Sequence, residues 1–328
     1  MQIQIVTPAR AGSTHGNRIT AVRWGRIFQK LGHRVRITQA YDDKATDLLV
    51  ALHARRSYKS IRLFHQKHPC LPIAVALTGT DIYHDMETSR RARESVEMAT
   101  RLVALQPKAL ERLNRDLRCK ARVIYQSVEQ PKQNQTKRGS ADTFDVCVIA
   151  HLRPVKDPFR AELASRLLPP SSRIRILQIG KAMTESIARR ARSATNRNPR
   201  YRWLGELSRP QTQKHLVSSQ ICVLSSRMEG GANVLSEAIT AGVPVLASRI
   251  DGNVGILGDD YPGLFNAGDT RALAGLLNRA ETDSSFLKEL RGRMKGLASL
   301  FDPEREKRAW AELLSELENA NQQTAEQC

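Results

Sequence analysis

The sequence predicts an α/β protein built from two doubly wound parallel sheets. Short apolar runs of strand length alternate with amphipathic helical periods through both halves of the chain, and that order calls for parallel strands joined by helices. A polar stretch with no apolar period, EQPKQNQTKRGSADT at 129–143, separates the two series as a linker would. The chain has 328 residues, room for about two domains of ordinary size, and 41% of them are hydrophobic, enough for a core in each. The expected division is 1–142 for a first domain, 143–302 for a second, and 303–328 for a last helix with a frayed tail.

In the first half, strands are expected at 2–8, 33–39, 47–53, 73–79, 101–106 and 121–127. NRITAVRWGRIFQKLG at 17–32 is an amphipathic helix that stops on Gly32, a residue suited to the left-handed turn after a helix. Residues 88–118 read as a mixed amphipathic helix. In the second half, strands are expected at 145–151, 173–180, 201–205, 221–226 and 243–248, and an amphipathic helix near 303–318 follows Phe301-Asp302-Pro303. Two Rossmann-like units of this kind leave a cleft, and ligands of such sheets bind beyond the carboxyl ends of the strands, at helix N-termini.

The net charge of +19 favours anionic partners. The positive residues are spread along the whole chain, aromatics are only 5%, and no RNA-binding signature occurs, so no nucleic-acid partner is expected. No apolar run reaches the roughly 18 residues of a membrane span, and MQIQIVTPAR reads as a strand and not as a leader, so a soluble cytoplasmic protein is expected. The five cysteines form no CxxC pair, and Cys147 and Cys222 sit in apolar strands as small hydrophobes. The histidines show no zinc spacing and no D-x-D triplet occurs, so no metal site is expected.

SRMEGGANVLSEAITAGVPVLAS at 226–248 is the most informative stretch. A strand ends, RMEGG forms a loop, and a helix begins near Ala232. Glu229 lies in the loop and Glu237 about five residues into the helix, which at ~1.5 Å per residue sets the carboxylates roughly 8 Å apart along the axis. That is about the span between the two sugar rings of a nucleotide sugar. Gly230 and Gly231 let the backbone approach a ligand. The free N–H groups around Gly231, Ala232 and Asn233, with the helix dipole, suit a diphosphate between those rings.

Glu229-GGANVLS-Glu237 resembles the E-x7-E motif of retaining GT-B glycosyltransferases, and AITAGVPVLAS resembles their helix-to-strand continuation. The resemblance implies a GT-B fold, two Rossmann-like domains facing a central cleft with the C-terminal helix crossing back to the first. It also implies that Glu229 contacts hydroxyls of the donor sugar and Glu237 those of the ribose, with Gly230, Gly231, Ala232, Asn233 and Val234 in the donor site. AHLRPVKDP at 150–158 resembles the family loop G-R-L-x-x-x-K. Lys156 falls on the lysine that neutralises the donor diphosphate, His151 replaces the usual arginine, and Arg153 is a candidate for the missing guanidinium. Positive charge there stabilises the leaving nucleotide diphosphate. Asp251 and Gly252 stand where the family has the G-G-x-P-E of its last donor-side loop, and Gly252 and Asn253 are candidate contacts to the base or sugar.

Acceptor-side candidates come from the first domain. ARAGSTHGNRIT at 9–20 places Gly12, Ser13, Thr14 and Asn17 in a polar turn ahead of a helix, suited to a phosphate or another anion, and His15 is either a contact or a loop residue. LTGTDIYHD at 77–85 resembles the family H-G-T-D loop with Thr78 in place of the histidine; Asp81 either orients a substrate or caps the next helix. LHARRS at 52–57 offers His53, Arg55 and Arg56; the two guanidinium groups either suit a small anion or form a solvated helix start.

Over nearly its whole length the chain resembles the selenosugar synthases of selenoneine biosynthesis, through IVTPARAGSTHGNRIT, DLLVALHARRS, ALTGTDIY, HLRPVKDPFRA, NPRYRWLGEL, SSRMEGGANVLSEA and the GDDYPG loop. The resemblance implies transfer from UDP-GlcNAc or UDP-glucose to selenophosphate, with no cofactor and no metal, by a monomer or homodimer. A selenium nucleophile is already ionised and demands no general base, and no obvious His–Asp base pair is expected in the first-domain loops. Two other readings compete: a GT-B transferase acting on a cell-envelope sugar or lipid acceptor, and a nucleotide- or nucleic-acid-binding module. The last is disfavoured by two carboxylates where polyphosphate would be repelled.

Overall fold

The computed structural model describes residues 1–13, 15–129 and 142–325, with side chains to residue 319. It divides into two compact units, Met1–Ser127 with Glu229–Gly231 and Pro303–Cys328, and Val128–Met228 with Ala232–Asp302. The linker expected at 129–143 falls almost wholly outside the described residues.

The first unit carries a six-stranded sheet of β1 (Gln2–Val6), β2 (Arg34–Thr38), β3 (Leu48–Leu52), β4 (Ile73–Leu77), β5 (Arg101–Ala104) and β6 (Ala121–Val123) in the order β2-β1-β3-β4-β5-β6. Every pairing is parallel. In β3 every side chain is buried, because helices cover both faces: Leu48, Val50 and Leu52 join one core cluster, Leu49 and Ala51 the other. This explains the unbroken apolar run DLLVAL. The helix Gly16–Lys30 packs Trp24 and Phe28 against Trp310 of the last helix, Pro303–Ala325, in edge-on contacts of 4.7 and 4.8 Å. The last helix therefore belongs to the first unit's core. It runs further than 318, to Ala325, and so takes in most of the stretch expected to fray at 319–328. Buried Glu306 fixes it in register, accepting from Trp24 Nε1 at 2.8 Å, from the Ser127 N–H at 2.8 Å and from the Ser127 hydroxyl.

The second unit repeats the plan with β7 (Phe144–Ile149), β8 (Ile174–Ile179), β9 (Tyr201–Trp203), β10 (Ile221–Leu224), β11 (Val245–Ser248) and β12 (Leu264–Phe265), ordered β12-β11-β10-β7-β8-β9 and again all parallel. The two-residue β12 has no readable period and is absent from the sequence expectation. Another expectation is corrected at 88–118. That stretch is a helix at Arg90–Met98, then β5, a 3-10 turn at Pro107–Arg112 and a short helix at Arg115–Cys119. The apolar run of β5 breaks the helical period. Cys147 and Cys222 face each other in register across β7 and β10, both buried. Burial pushes the Cys147 thiol up to about 12 and Cys222 well above its ordinary value, as expected of inert core thiols. Among the described residues no helix is long and apolar enough to cross a membrane.

Candidate active site

In each sheet the strand order reverses at one point, between β1 and β3 in the first and between β7 and β10 in the second. A doubly wound sheet opens a crevice beyond the carboxyl ends of the strands at that point, because the connections leave to opposite faces. The candidate residues of the sequence fall largely on the loops that flank these two places.

In the second unit the loop after β7 forms a 3-10 turn, Pro154–Lys156, with exposed Arg153 just before it and half-buried Lys156 at its end. Asp157 follows with φ 42°, a left-handed backbone uncommon for a residue with a Cβ. That conformation directs its carboxylate between Arg160, at 2.8 Å, and Arg227, at 3.7 Å. The loop after β10 is bonded to the loop after β7. The Arg227 N–H donates to the Val155 carbonyl at 2.8 Å, and the Ser225 hydroxyl donates to the Asp157 carbonyl at 2.9 Å. A groove of about 490 Å³ is lined by Arg153, Phe159, Ile187, Arg190, Arg227 and Met228, and Arg190 stacks over Phe159 at 4.1 Å. Three guanidinium groups line it and one carboxylate, Asp157, lies among them, so its surplus charge is positive.

After this loop the chain caps and enters the helix Asn233–Thr240 at Ala232, with half-buried Val234 in its first turn and half-buried Glu237 as its fifth residue. Glu229, Gly230 and Gly231 group with the first unit. A Cβ on Gly230 would lie 2.4 Å from the Thr78 carbonyl carbon, one on Gly79 2.9 Å from the Gly230 nitrogen, and one on Gly231 2.8 Å from Leu105 Cβ. Gly230 and Gly79 are required by backbone-to-backbone contact, and Gly231 by the Leu105 side chain. Gly252 and Asn253 are buried in the helix Asp251–Leu257, and the Asn253 amide donates to the Ser248 carbonyl at 2.9 Å.

The first unit differs from expectation in how its acceptor candidates are engaged. Asp81 is fully buried and accepts the N–H groups of Thr78, Gly79, Ala54 and Ile82 at 2.8, 2.7, 3.1 and 3.2 Å. It is thus a scaffold for the loop after β4 and not a group presented to an acceptor. His53 is only 3% exposed, so it too lies beneath the surface. It stands 3.9 Å from both Asp81 and Asp85, which corrects the expectation that these loops hold no His–Asp pair. The pair escaped the sequence because its members lie on separate loops. Burial, more than anything, lowers the His53 pKa; Arg56 and Arg55 act the same way and Asp81 and Asp85 oppose them. Arg55 pairs with Asp85 at 2.9 Å, while Arg56 is exposed. Gly12 is exposed, the Ser13 hydroxyl donates to the Arg10 carbonyl at 2.9 Å, and Asn17 sits in the first turn of Gly16–Lys30 behind the exposed capping residue His15. Thr14 lies outside the described residues. Arg227, Arg160 and Thr80 were passed over in the sequence. Only the last had a signal there, as the third residue of T-G-T-D. Among the described residues no group of three or more His, Cys, Asp or Glu could hold a metal ion.

This pair of parallel sheets is a GT-B architecture, and residues 129–297, more than half of the chain, match the family of glycosyl transferases group 1, to which the protein belongs. Solved structures carry the same fold over almost the whole chain. Anabaena HepE, crystallised in complex with UDP-glucose, is 17% identical and superposes with a TM-score of 0.76, covering 96% of this chain and 100% of its own. Sucrose-phosphate synthase from Thermosynechococcus elongatus is 15% identical with a TM-score of 0.76, covering 97% and 99%. A glycosyltransferase from Rickettsia africae is 13% identical with a TM-score of 0.73, covering 96% and 98%. Among curated proteins none matches.

Proposed function

We propose that the protein transfers a sugar from UDP-GlcNAc or UDP-glucose to selenophosphate, without metal or cofactor. The donor class is supported by the Glu229–Glu237 spacing and by HepE, whose structure holds UDP-glucose. In this reading Lys156 and Arg153 meet the leaving diphosphate, Glu229 the sugar hydroxyls and Glu237 the ribose. A selenium lone pair forms the bond to the anomeric carbon as the bond from that carbon to the oxygen of UDP breaks. Water then cleaves the selenium–phosphorus bond, leaving phosphate and a 1-seleno-sugar.

One observation carries the choice of acceptor. The ionisable groups nearest the end of the first sheet are already engaged: His53 is buried against Thr80, Asp81 accepts four N–H groups, and Asp85 holds Arg55. An acceptor hydroxyl would look for a base among them; an ionised selenium asks for none. Exposed Arg56 and the polar turn at Gly12 and Ser13 suit that acceptor's phosphate. The resemblance of the chain to selenosugar synthases points the same way. Incubation with selenophosphate and each UDP-sugar, read by mass spectrometry, should give UDP, phosphate and a selenium-bearing sugar. Glycosylation of a sugar or lipid instead, with no selenium adduct, would replace this acceptor and leave the family assignment standing.

A further inference from the structure

The loop Thr78–Thr80 after β4 is fixed from three sides. The Asp81 carboxylate accepts its first two N–H groups. Gly79, at φ 137°, and Gly230 meet backbone to backbone with no space for a side chain on either. The third constraint is His53, whose Nε2 lies 3.0 Å from the Thr80 hydroxyl oxygen. Backbone strain accompanies this arrangement. His53 has φ 75°, left-handed for a residue with a Cβ, a conformation that costs about 1–3 kcal/mol and persists only where its surroundings impose it. The segment that follows the loop, Asp81–Asp85, is a π-helix, a rare form found often at functional sites.

The partners of His53 assign its tautomer. The Arg56 N–H points at Nδ1, at 3.5 Å, so Nδ1 carries the lone pair. Burial favours the neutral imidazole. Its one proton is therefore on Nε2 and donates to Thr80. The Thr80 oxygen accepts, and the hydroxyl's own hydrogen remains to donate elsewhere. Asp81 and Asp85 are occupied as described, and Thr80 is half-exposed. A rigid loop thus offers one oriented O–H donor. It follows Gly79, which abuts Gly230, and Glu229 immediately precedes Gly230.

We propose that Thr80 is a specificity-determining residue whose hydroxyl donates a hydrogen bond to a hydroxyl oxygen of the transferred sugar, and that buried His53 is its positioning residue. Glu229, an acceptor only, and Thr80, a directed donor, would read one sugar with opposite polarity. The inference rests on the UDP-sugar reading above.

The test uses the full chain with UDP, UDP-glucose and UDP-GlcNAc by calorimetry, and turnover with each UDP-sugar. Thr80→Val keeps the shape and removes the donor. It should lower kcat/KM for the UDP-sugar roughly 10- to 100-fold and leave UDP affinity within about twofold, while Thr80→Ser restores most of the loss. His53→Gln should fall short of wild type in the same parameter. The double variant His53→Gln/Thr80→Val should be no worse than Thr80→Val alone, because His53 acts through Thr80. Equal losses of UDP and UDP-sugar affinity in Thr80→Val, multiplying losses in the double variant, or a change confined to the acceptor KM would each overturn the assignment. Wild-type protein that binds UDP but neither UDP-sugar would overturn it together with the proposed donor. Wild-type selectivity for a UDP-sugar with an unaffected Thr80→Val would overturn it alone.

Discussion

The loops beyond the two sheets solve different problems. Beyond the first sheet three buried side chains are engaged: His53 with the Thr80 hydroxyl, Asp81 with four N–H groups, and Asp85 in an ion pair with exposed Arg55. Beyond the second, the side chains are partly exposed cations, Arg153, Lys156 and Arg227, with Asp157 between Arg160 and Arg227. The first arrangement fixes positions before a ligand arrives, so its worth lies in preorganisation. The second groups three guanidiniums, Arg153, Arg190 and Arg227, with a single carboxylate, Asp157, along one groove, so its field favours an anion. A damaged first loop should therefore show in geometry and turnover, and a damaged second loop in anion affinity.

The largest effect is expected from breaking the first loop's shape. Gly230→Ala places a methyl 2.4 Å from the Thr78 carbonyl carbon, and backbone must move to admit it. Turnover should fall at least about 100-fold, since displacements near 1 Å are costly to catalysis. Gly292→Ala is the control: its Cβ meets nothing within 4 Å inside the helix Ser284–Leu297, and it should stabilise the fold by about 1 kcal/mol. Turnover and thermal unfolding of both variants check this; an active Gly230→Ala would show that the loop is not rigid.

Next comes charge in the second unit. Lys156→Ala should weaken UDP about 10- to 100-fold and uridine by much less, because the diphosphate is its proposed partner. The loss should shrink as salt is raised, and EDTA should leave wild-type UDP affinity unchanged. Calorimetry on UDP and uridine decides; equal losses for both would remove the charge argument. A third contrast, of similar size, lies within 229–237. Glu237→Ala should cost about 1–3 kcal/mol of UDP affinity by leaving ribose hydroxyls unpaired, while Glu229→Ala should spare UDP and lower turnover of the UDP-sugar. Equal UDP losses in the two variants would contradict their assigned roles.

The same contrast governs what the sequence disclosed. Of the twelve strands among the described residues, eleven were expected: β3 and β4, buried on both faces, read as apolar runs, partly exposed strands such as β2 keep enough apolar residues to be read, and β12 is too short. The candidates read from 150–158 and 226–248 are local in sequence: Arg153 and Lys156 share one loop, and Glu229 and Glu237 one loop and helix, although Glu229 groups with the first unit. The first unit's network is not. His53 and Asp81 are 28 residues apart in the chain and meet only because β3 and β4 are neighbours in register. Sequence gave both residues a polar role but could not tell a buried, engaged carboxylate from one offered to a substrate. Arg227 was hidden for a similar reason: its place beside Asp157 depends on the left-handed turn at that residue, which no local pattern in RPVKDP indicates.

The smallest expected effect concerns pH and the buried His53. The folded-state pKa of His53 is lowered, chiefly by burial, while the unfolded imidazole titrates near about 6.5. Below that pH the unfolded chain binds a proton that the folded chain resists, so stability is fully present above it and declines as pH falls toward the folded pKa. The slope from one such group is at most about 1.4 kcal/mol per pH unit. His33, also lowered chiefly by burial, acts with the same sign, so the difference between variants is the quantity to read and not the total. Arg56 and Arg55 face His53 and disfavour its charge, whereas Asp81 and Asp85 favour it. His53→Gln should therefore lose less unfolding free energy than wild type between pH 7.5 and 5.5. Urea unfolding across that range measures it. A His53→Gln slope equal to wild type would mean that His53 charges freely in the folded protein, and the neutral donor assigned to Thr80's neighbour would lose its footing.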